Sequence, residues 1–380
     1  MIVMHVITGL STGGAERALQ NVLVGGLAQR YDTIVVSLQG EGLIGPRLRE
    51  LGVQVYCLGM RRGIPTPRAL LGLCRVVRES RPDIIQGWMY HGNLAATLAA
   101  RFVPVQPAVT WNIRHSLYDL KMEKALTRQV IRANRFFSGD VDGIIYNSRL
   151  SRIQHARFGF DDRRTRVISN GFDLNRLQPD PETGRQVRDE LGLTDEAQVI
   201  GHVARFHPMK DHVSFFRAAV RVARSKPRAR FLVVGRDVSP DNRALSGVVP
   251  SELLDRFVFT GERSDPERLM QAMDVLCSSS LSEAFPNVLG EAMACGVPCV
   301  TTDVGDSADI VGDTGIVVPP SDSGALADGL LAMLGKDALE RERLGRSARE
   351  RVAQHYALPR IVEHYAELYQ VLHDCNASAH

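Results

Sequence analysis

Short, β-branched apolar runs alternate with longer amphipathic stretches along the chain. IVMHVIT is followed by AERALQNVLVGGLAQR, DTIVVSL by IGPRLREL, VQVYCLG by TPRALLGLCRVVRES, and DIIQGWM by NLAATLAARF. AVTWNIR leads into a long basic helix reaching about Phe137, and DGIIYNS into RLSRIQHARF. Strands that are apolar on both faces need cover on both sides, so the pattern predicts a parallel sheet wrapped by crossover helices. A polar stretch rich in turn formers, RVISNGFDLNRLQPDPETG, interrupts the alternation, which then restarts. QVIGHVARF, ARFLVVGR, RFVFTGE, VLCSSS, PCVTTD and GIVVPP are predicted strands; HVSFFRAAVRVARSK, PERLMQAMD and NVLGEAMACG are predicted helices. The expected fold class is α/β, with two doubly wound parallel-sheet domains joined near residues 171–184 and a closing amphipathic helix over 357–373.

Open parallel sheets bind ligands beyond the carboxyl ends of their strands, and two such domains facing each other would place their strand-to-helix loops across one central cleft. Length agrees, since 380 residues exceed what one core usually holds. Apolar residues at 44% and charged residues at 23% exclude a disordered or collagen-like chain. The longest apolar stretch, residues 84–100, is broken by Gln86, His91 and Asn93, too soon for a spanning helix. MIVMHVITGL lacks the basic flank and cleavage site of a signal peptide, and is expected to be the first strand. The six cysteines are scattered without metal or disulfide spacing, which points to a reducing cytoplasm. Charge is divided: residues 1–175 carry a net +10 and the remainder −7. A basic half attracts phosphate groups or an anionic lipid surface. The arginines lack the aromatic interleaving of a single-strand nucleic-acid binder, so no nucleic-acid partner is expected.

Candidate chemistry lies where the pattern places strand ends. Gly13 and Gly14 sit in the first strand-to-helix loop, where backbone can approach a ligand and a helix start can face an anion; the loop is not a GxGxxG fingerprint. Arg205 and Lys210 follow a buried strand in VARFHPMKDH, where an arginine fork and a lysine point charge can grip a pyrophosphate. In SEAFPNVLGEAMACG, Glu283 precedes a helix and Glu291 lies a turn inside it. The helix start around Asn287, Val288 and Leu289 offers unpaired amides to a phosphate flanked by two carboxylates. His91 and His115 each follow a first-half strand and are expected to face the cleft, although packed histidines beside aromatics are common. Asp140 and Asp142 spell a DxD metal motif, but they precede a strand rather than end one, so no metal is expected.

The string SEAFPNVLGEAMACGVPCVTTDVGDSADIVGDTGIVVPP, with GHVARFHPMKDH, VVGRD, VFTGERSD, VISNGFD and the opening GGAER, resembles the retaining, nucleotide-sugar-dependent glycosyltransferases of family four, over nearly the whole chain. The resemblance implies the GT-B fold, with two Rossmann-like domains facing a central cleft. It assigns Arg205 and Lys210 to neutralising the donor diphosphate, Glu283 to the transferred sugar, Glu291 to the donor ribose, and Gly13 and Gly14 to the glycine loop of the other domain. His115 matches the family histidine near the transferred sugar; His91 is the weaker candidate. No cofactor and no metal is implied beyond the nucleotide-sugar substrate.

The expected domains are an acceptor-side domain over residues 1–172, a nucleotide-sugar-binding domain over 173–356, and a C-terminal helix over 357–380 packing back on the first. The expected reaction is retaining, metal-independent hexosyl transfer from a nucleoside-diphosphate sugar, UDP favoured, to a saccharide or lipid-linked acceptor in polysaccharide or cell-envelope glycan synthesis. Arg114 to Arg135 is expected to form a basic helix whose Leu117, Leu120, Ala125, Val130 and Ile131 line an apolar side suited to peripheral docking on the inner face of an anionic membrane. The alternatives are a non-catalytic nucleotide-sugar-binding partner subunit, which would tolerate Glu283→Gln, and an epimerase of the same fold, which would consume donor without acceptor. A dehydrogenase is third, disfavoured by the missing fingerprint.

Overall fold

The computed structural model describes residues 1–11, 13–60, 66–104, 106–245 and 247–377, and the chain divides into two compact units. Thr12 of the first glycine loop and residues 378–380 of the expected C-terminal segment lie outside the described residues. Unit 1 comprises Met1–Gly171 with the C-terminal stretch from Leu358; unit 2 is Phe172–Ala357.

Unit 1 carries seven parallel strands: β1 (Ile2–Ile7), β2 (Asp32–Ser37), β3 (Gln54–Cys57), β4 (Ile84–Trp88), β5 (Ala108–Ile113), β6 (Gly143–Tyr146) and β7 (Thr165–Val167), ordered β3-β2-β1-β4-β5-β6-β7. Unit 2 carries six: β8 (Gln198–Val203), β9 (Ala229–Val234), β10 (Phe257–Gly261), β11 (Val275–Ser278), β12 (Cys299–Thr302) and β13 (Ile316–Val318), ordered β10-β9-β8-β11-β12-β13. The strand order of each sheet reverses once, between β1 and β4 in unit 1 and between β8 and β11 in unit 2. These switch points are where open α/β sheets leave a crevice at the strand carboxyl ends.

The C-terminal helix, Leu358–Ala377, belongs to unit 1 and buries Ile361, Val362, Tyr365, Leu368, Tyr369 and Leu372 in a core with Val3, Ile7 and Trp88. Its polar tips are satisfied: Tyr369 Oη donates to Gln86 Oε1 at 2.7 Å, and Asn112 Nδ2 donates to Tyr365 Oη at 2.8 Å. The first crossover makes room for it. The expected single helix over residues 15–30 is helical over Gly14–Val22 and then distorts, with Gly26 at φ 127°. A Cβ on Gly25 would stand 2.6 Å from Leu358 Cγ, so the kink with its glycines lets the C-terminal helix approach.

Three expectations need correction. Residues 114–135 are not one helix: a short 3-10 turn at Leu120–Met122 precedes a helix that begins only at Ala125 and ends at Phe137. Leu117, Val130 and Ile131 are buried in the unit 1 core rather than lining a free apolar side, because this helix packs against the helix Met89–Arg101. The stretch 171–184 is not all connector, since its last residues form the first turn of a helix, Pro181–Glu190, capped by Asp180 accepting from Thr183 N. Finally, Thr165–Val167 adds a seventh strand that three residues were too few to announce. Among the described residues no helix is long and apolar enough to cross a membrane.

Candidate functional site

The β8/β11 switch point of unit 2 brings together the two loops that carry Lys210 and Glu283. Beyond the end of β8 the backbone runs through Arg205 and a short turn at Pro208–Lys210, capped by His207 Nδ1 accepting from Met209 N, before the helix His212–Ser225 begins. Beyond the end of β11 it runs through Ser279 and Ser280 to Glu283 and the helix Asn287–Ala294. Leu281 N donates to Met209 O at 2.8 Å, tying the two loops together.

Lys210 Nζ pairs directly with Glu283 Oε1, residues 73 positions apart in sequence. Their side chains are 26% and 15% exposed, so the pair is sheltered without being sealed from solvent. The carboxylate is also fixed by Ser280 Oγ, which donates to Oε1 at 2.7 Å. Arg205 is exposed. Burial lowers the pKa of His207, and the charges of Arg205 and Lys210 lower it further. The imidazole between two like charges resists becoming a third.

The helix Asn287–Ala294 starts at Pro286, which gives it no side-chain cap. The Leu289 amide, expected to be unpaired, instead donates to Pro286 O at 3.1 Å in a tightened first turn, and the Leu289 side chain is in the core. Glu291 lies half-buried within the second turn of this helix.

The β1/β4 switch point of unit 1 carries a second group. Gly13 is the N-cap of the first helix; a Cβ there would collide with the Glu16 carboxylate at 2.2 Å, whereas one on Gly14 would meet nothing within 4 Å. Burial raises the Glu16 pKa. β4 passes into its helix at Met89, held at φ 61°, a left-handed conformation costly for methionine. Two residues on, His91 is half-buried, and that burial lowers its pKa. His115 follows β5, and its Nε2 lies 2.7 Å from Glu123 Oε1; the hydrogen bond from His115 holds the Glu123 carboxyl below its ordinary range. Tyr90 stands edge-on to the His115 ring, with centroids 6.1 Å apart.

Asp140 and Asp142 have structural partners: Arg101 Nη2 donates to Asp140 Oδ2 at 2.6 Å, and Asp142 Oδ2 accepts from Val109 N at 2.8 Å. Among the described residues no group of three or more His, Cys, Asp or Glu side chains stands together as metal ligands would. Sequence reasoning missed Glu123, His207 and the two serines. Three consecutive serines at a strand end and the histidine-rich HPMKDH were the signals available.

Residues 12–176 match the family described as Glycosyltransferase Family 4, and residues 197–336 match Glycosyl transferases group 1. The chain is similar to N-acetyl-alpha-D-glucosaminyl L-malate synthase of Bacillus anthracis, 30% identical over 193 residues that make up half of each chain. It is also similar to the UDP-Gal:alpha-D-GlcNAc-diphosphoundecaprenol alpha-1,3-galactosyltransferase of Escherichia coli, 21% identical over 80% of this chain and 79% of the relative. Among solved structures, Anabaena HepE in complex with UDP superposes with a TM-score of 0.82 at 21% identity, over 98% of this chain and all of the other; the same protein has also been solved with UDP-glucose. That likeness identifies the architecture of two parallel α/β domains as GT-B.

Proposed function

The chain is a glycosyltransferase of the GT-B fold, and we propose that it transfers a hexosyl unit from a UDP-sugar to a saccharide or lipid-linked hydroxyl in cell-envelope or polysaccharide glycan synthesis, with retention and without a metal ion. The observation that carries this reading is the meeting of Lys210, Glu283 and an uncapped helix start at the β8/β11 switch point, with Arg205 in the same loop.

The donor diphosphate takes the helix start and the two cations, and the charge that grows on it as the glycosidic bond breaks is stabilised by groups already in place. Glu283 accepts hydrogen bonds from hydroxyls of the transferred sugar, and Glu291 from the ribose. Lys210 is shared: before the donor arrives its ammonium belongs to Glu283, so the diphosphate competes with a carboxylate for one cation. Within unit 1, His115 is oriented by Glu123, His91 lies beside the β4 elbow, and Gly13 and Gly14 supply a backbone loop at the start of the first helix. The support for a uridine donor is the pair of HepE structures holding UDP and UDP-glucose, together with a relative named for UDP-galactose.

Thermal melts with UDP-, GDP- and ADP-sugars test the donor. A ligand at a hundred times its Kd stabilises the folded state by about 2.7 kcal/mol, so the UDP-sugar is expected to raise the melting temperature where the others do not. A shift with GDP- or ADP-sugars alone would overturn the uridine assignment, and the anomeric configuration of the product, read by NMR, decides retention.

Peripheral membrane docking keeps a smaller basis than the sequence suggested. The exposed face of the helix Ala125–Phe137 offers Leu126 and Phe136, 52% and 79% exposed, beside the cations Arg132 and Arg135. Phosphatidylserine vesicles at low salt are expected to sediment the protein, and Phe136→Asp with Arg132→Glu to abolish it. Failure of the unaltered protein to bind them removes the membrane from the proposal.

A further inference from the structure

The Lys210–Glu283 pair is held from both sides by one dipeptide that no motif singles out. β11 ends at Ser278, and the next two residues, Ser279 and Ser280, are 1% and 2% exposed. Ser279 Oγ donates to Lys210 O at 2.8 Å and lies 3.1 Å from Asp211 O. His202 Nε2 stands 3.1 Å from the same hydroxyl. A hydroxyl has one proton to give, and it is committed to these carbonyls, so the ring must donate to the oxygen from Nε2. His202 remains neutral because burial, reinforced by His212 and Lys210, holds its pKa well below the ordinary value.

The clamp sits at a strained point. Asp211 has φ 44°, the left-handed conformation that a side chain adopts only when its surroundings impose it, and its carboxylate then caps the helix His212–Ser225 by accepting from Ser214 N. Ser280 works on the other partner: its hydroxyl donates to Glu283 Oε1 at 2.7 Å while its carbonyl accepts from Thr302 Oγ1 of β12 at 2.6 Å. One end of the ion pair is therefore held through its backbone and the other through its carboxylate, by adjacent residues at the end of a central strand.

We propose that Ser279 and Ser280 are positioning residues of the donor site: Ser279, backed by His202, sets where the Lys210 ammonium meets the diphosphate, and Ser280 sets where the Glu283 carboxylate meets the transferred sugar. The proposal rests on the donor-site reading above. A charged group displaced by a fraction of an ångström loses much of its effect on the reacting atoms, so holding groups that never touch substrate still set the rate.

The experiment is a pair of double-mutant cycles, measuring UDP binding by calorimetry and kcat and KM with a UDP-sugar, with thermal melts alongside. Ser280→Ala is expected to lower kcat about tenfold while leaving the UDP Kd unchanged, and to cost nothing further once Glu283→Ala is present. Ser279→Ala is expected to weaken UDP about tenfold and to cost nothing further in Lys210→Met. If Ser279→Ala does not fold, Ser279→Cys, similar in size with a poor donor, replaces it. Losses that repeat in full in both backgrounds would show the serines to be structural and overturn the proposal, leaving the donor site standing. Absence of UDP binding and of turnover in the unaltered protein would instead bring down the donor-site reading, and this one with it.

Discussion

Lys210→Met is expected to reduce kcat/KM for the nucleotide-sugar donor about 100- to 1,000-fold, the loss of about 2.7 to 4 kcal/mol found when one preorganised charge-stabilising donor is removed from such a site. Methionine keeps the length and apolar bulk of the lysine stem, so the change isolates the ammonium. Two effects then act together. The diphosphate loses a point charge when its own charge grows, and Glu283 loses the partner that shares its position with Ser280. Folding should be little changed, because Glu283 keeps the Ser280 hydrogen bond and a side chain that is 15% exposed still reaches water. Initial rates over a range of donor concentrations, with UDP titrations by calorimetry, measure the effect. A kcat/KM within about threefold of the unaltered protein would mean the ammonium is not used on the diphosphate, and the assignment of the β8/β11 loops would fall with it.

Gly235→Ala is expected to destabilise unit 2 by about 1 to 3 kcal/mol and to abolish tight UDP binding, through overpacking of a rigid site. The glycine follows β9, and a Cβ there would stand 1.9 Å from Ala204 O and 3.1 Å from Arg205 N. These are backbone atoms that no rotamer change can move. They are pinned on both sides, since Ala204 N donates to Val234 O at 2.9 Å and Phe206 N to Arg236 O at 2.8 Å. The added methyl therefore has to push away the segment that begins the cation loop, and Arg205 moves with it. Gly40→Ala is the control, because nothing lies within 4 Å of its added methyl. Melting temperatures with and without UDP read both consequences; a Gly235→Ala protein that melts and binds UDP as the unaltered one does would refute the close approach.

Much of the site could be read directly from the chain because its parts are local. Glu283, the start of the helix behind it and Glu291 fall within nine residues, and Arg205 and Lys210 within six, each group just past an apolar run that could only be a buried strand. The Arg114–Arg135 segment was misjudged for a related reason. Its spacing of apolar and basic residues suits a membrane-lying helix, yet a stripe of Leu117, Val130 and Ile131 serves equally well against a neighbouring helix, and that neighbour takes it. Local periodicity records that a face is apolar but not what covers it. The Glu123 partner of His115 went unseen because it lies across an irregular loop that has no period to follow.

Alternation of strand and helix, the division into two sheets and the placing of Arg205, Lys210 and Glu283 beyond strand ends were all determined by sequence, since each depends on residues close enough in the chain for spacing to reveal them. Tertiary structure alone decided the strand orders, the ion pair across 73 positions, the serines that grip its two ends and the backbone approach that forbids a side chain at residue 235. The physical reason is range: these features arise where distant segments close on one another, and the packing and hydrogen bonds that favour such closure depend on the partner segment as much as on the segment itself.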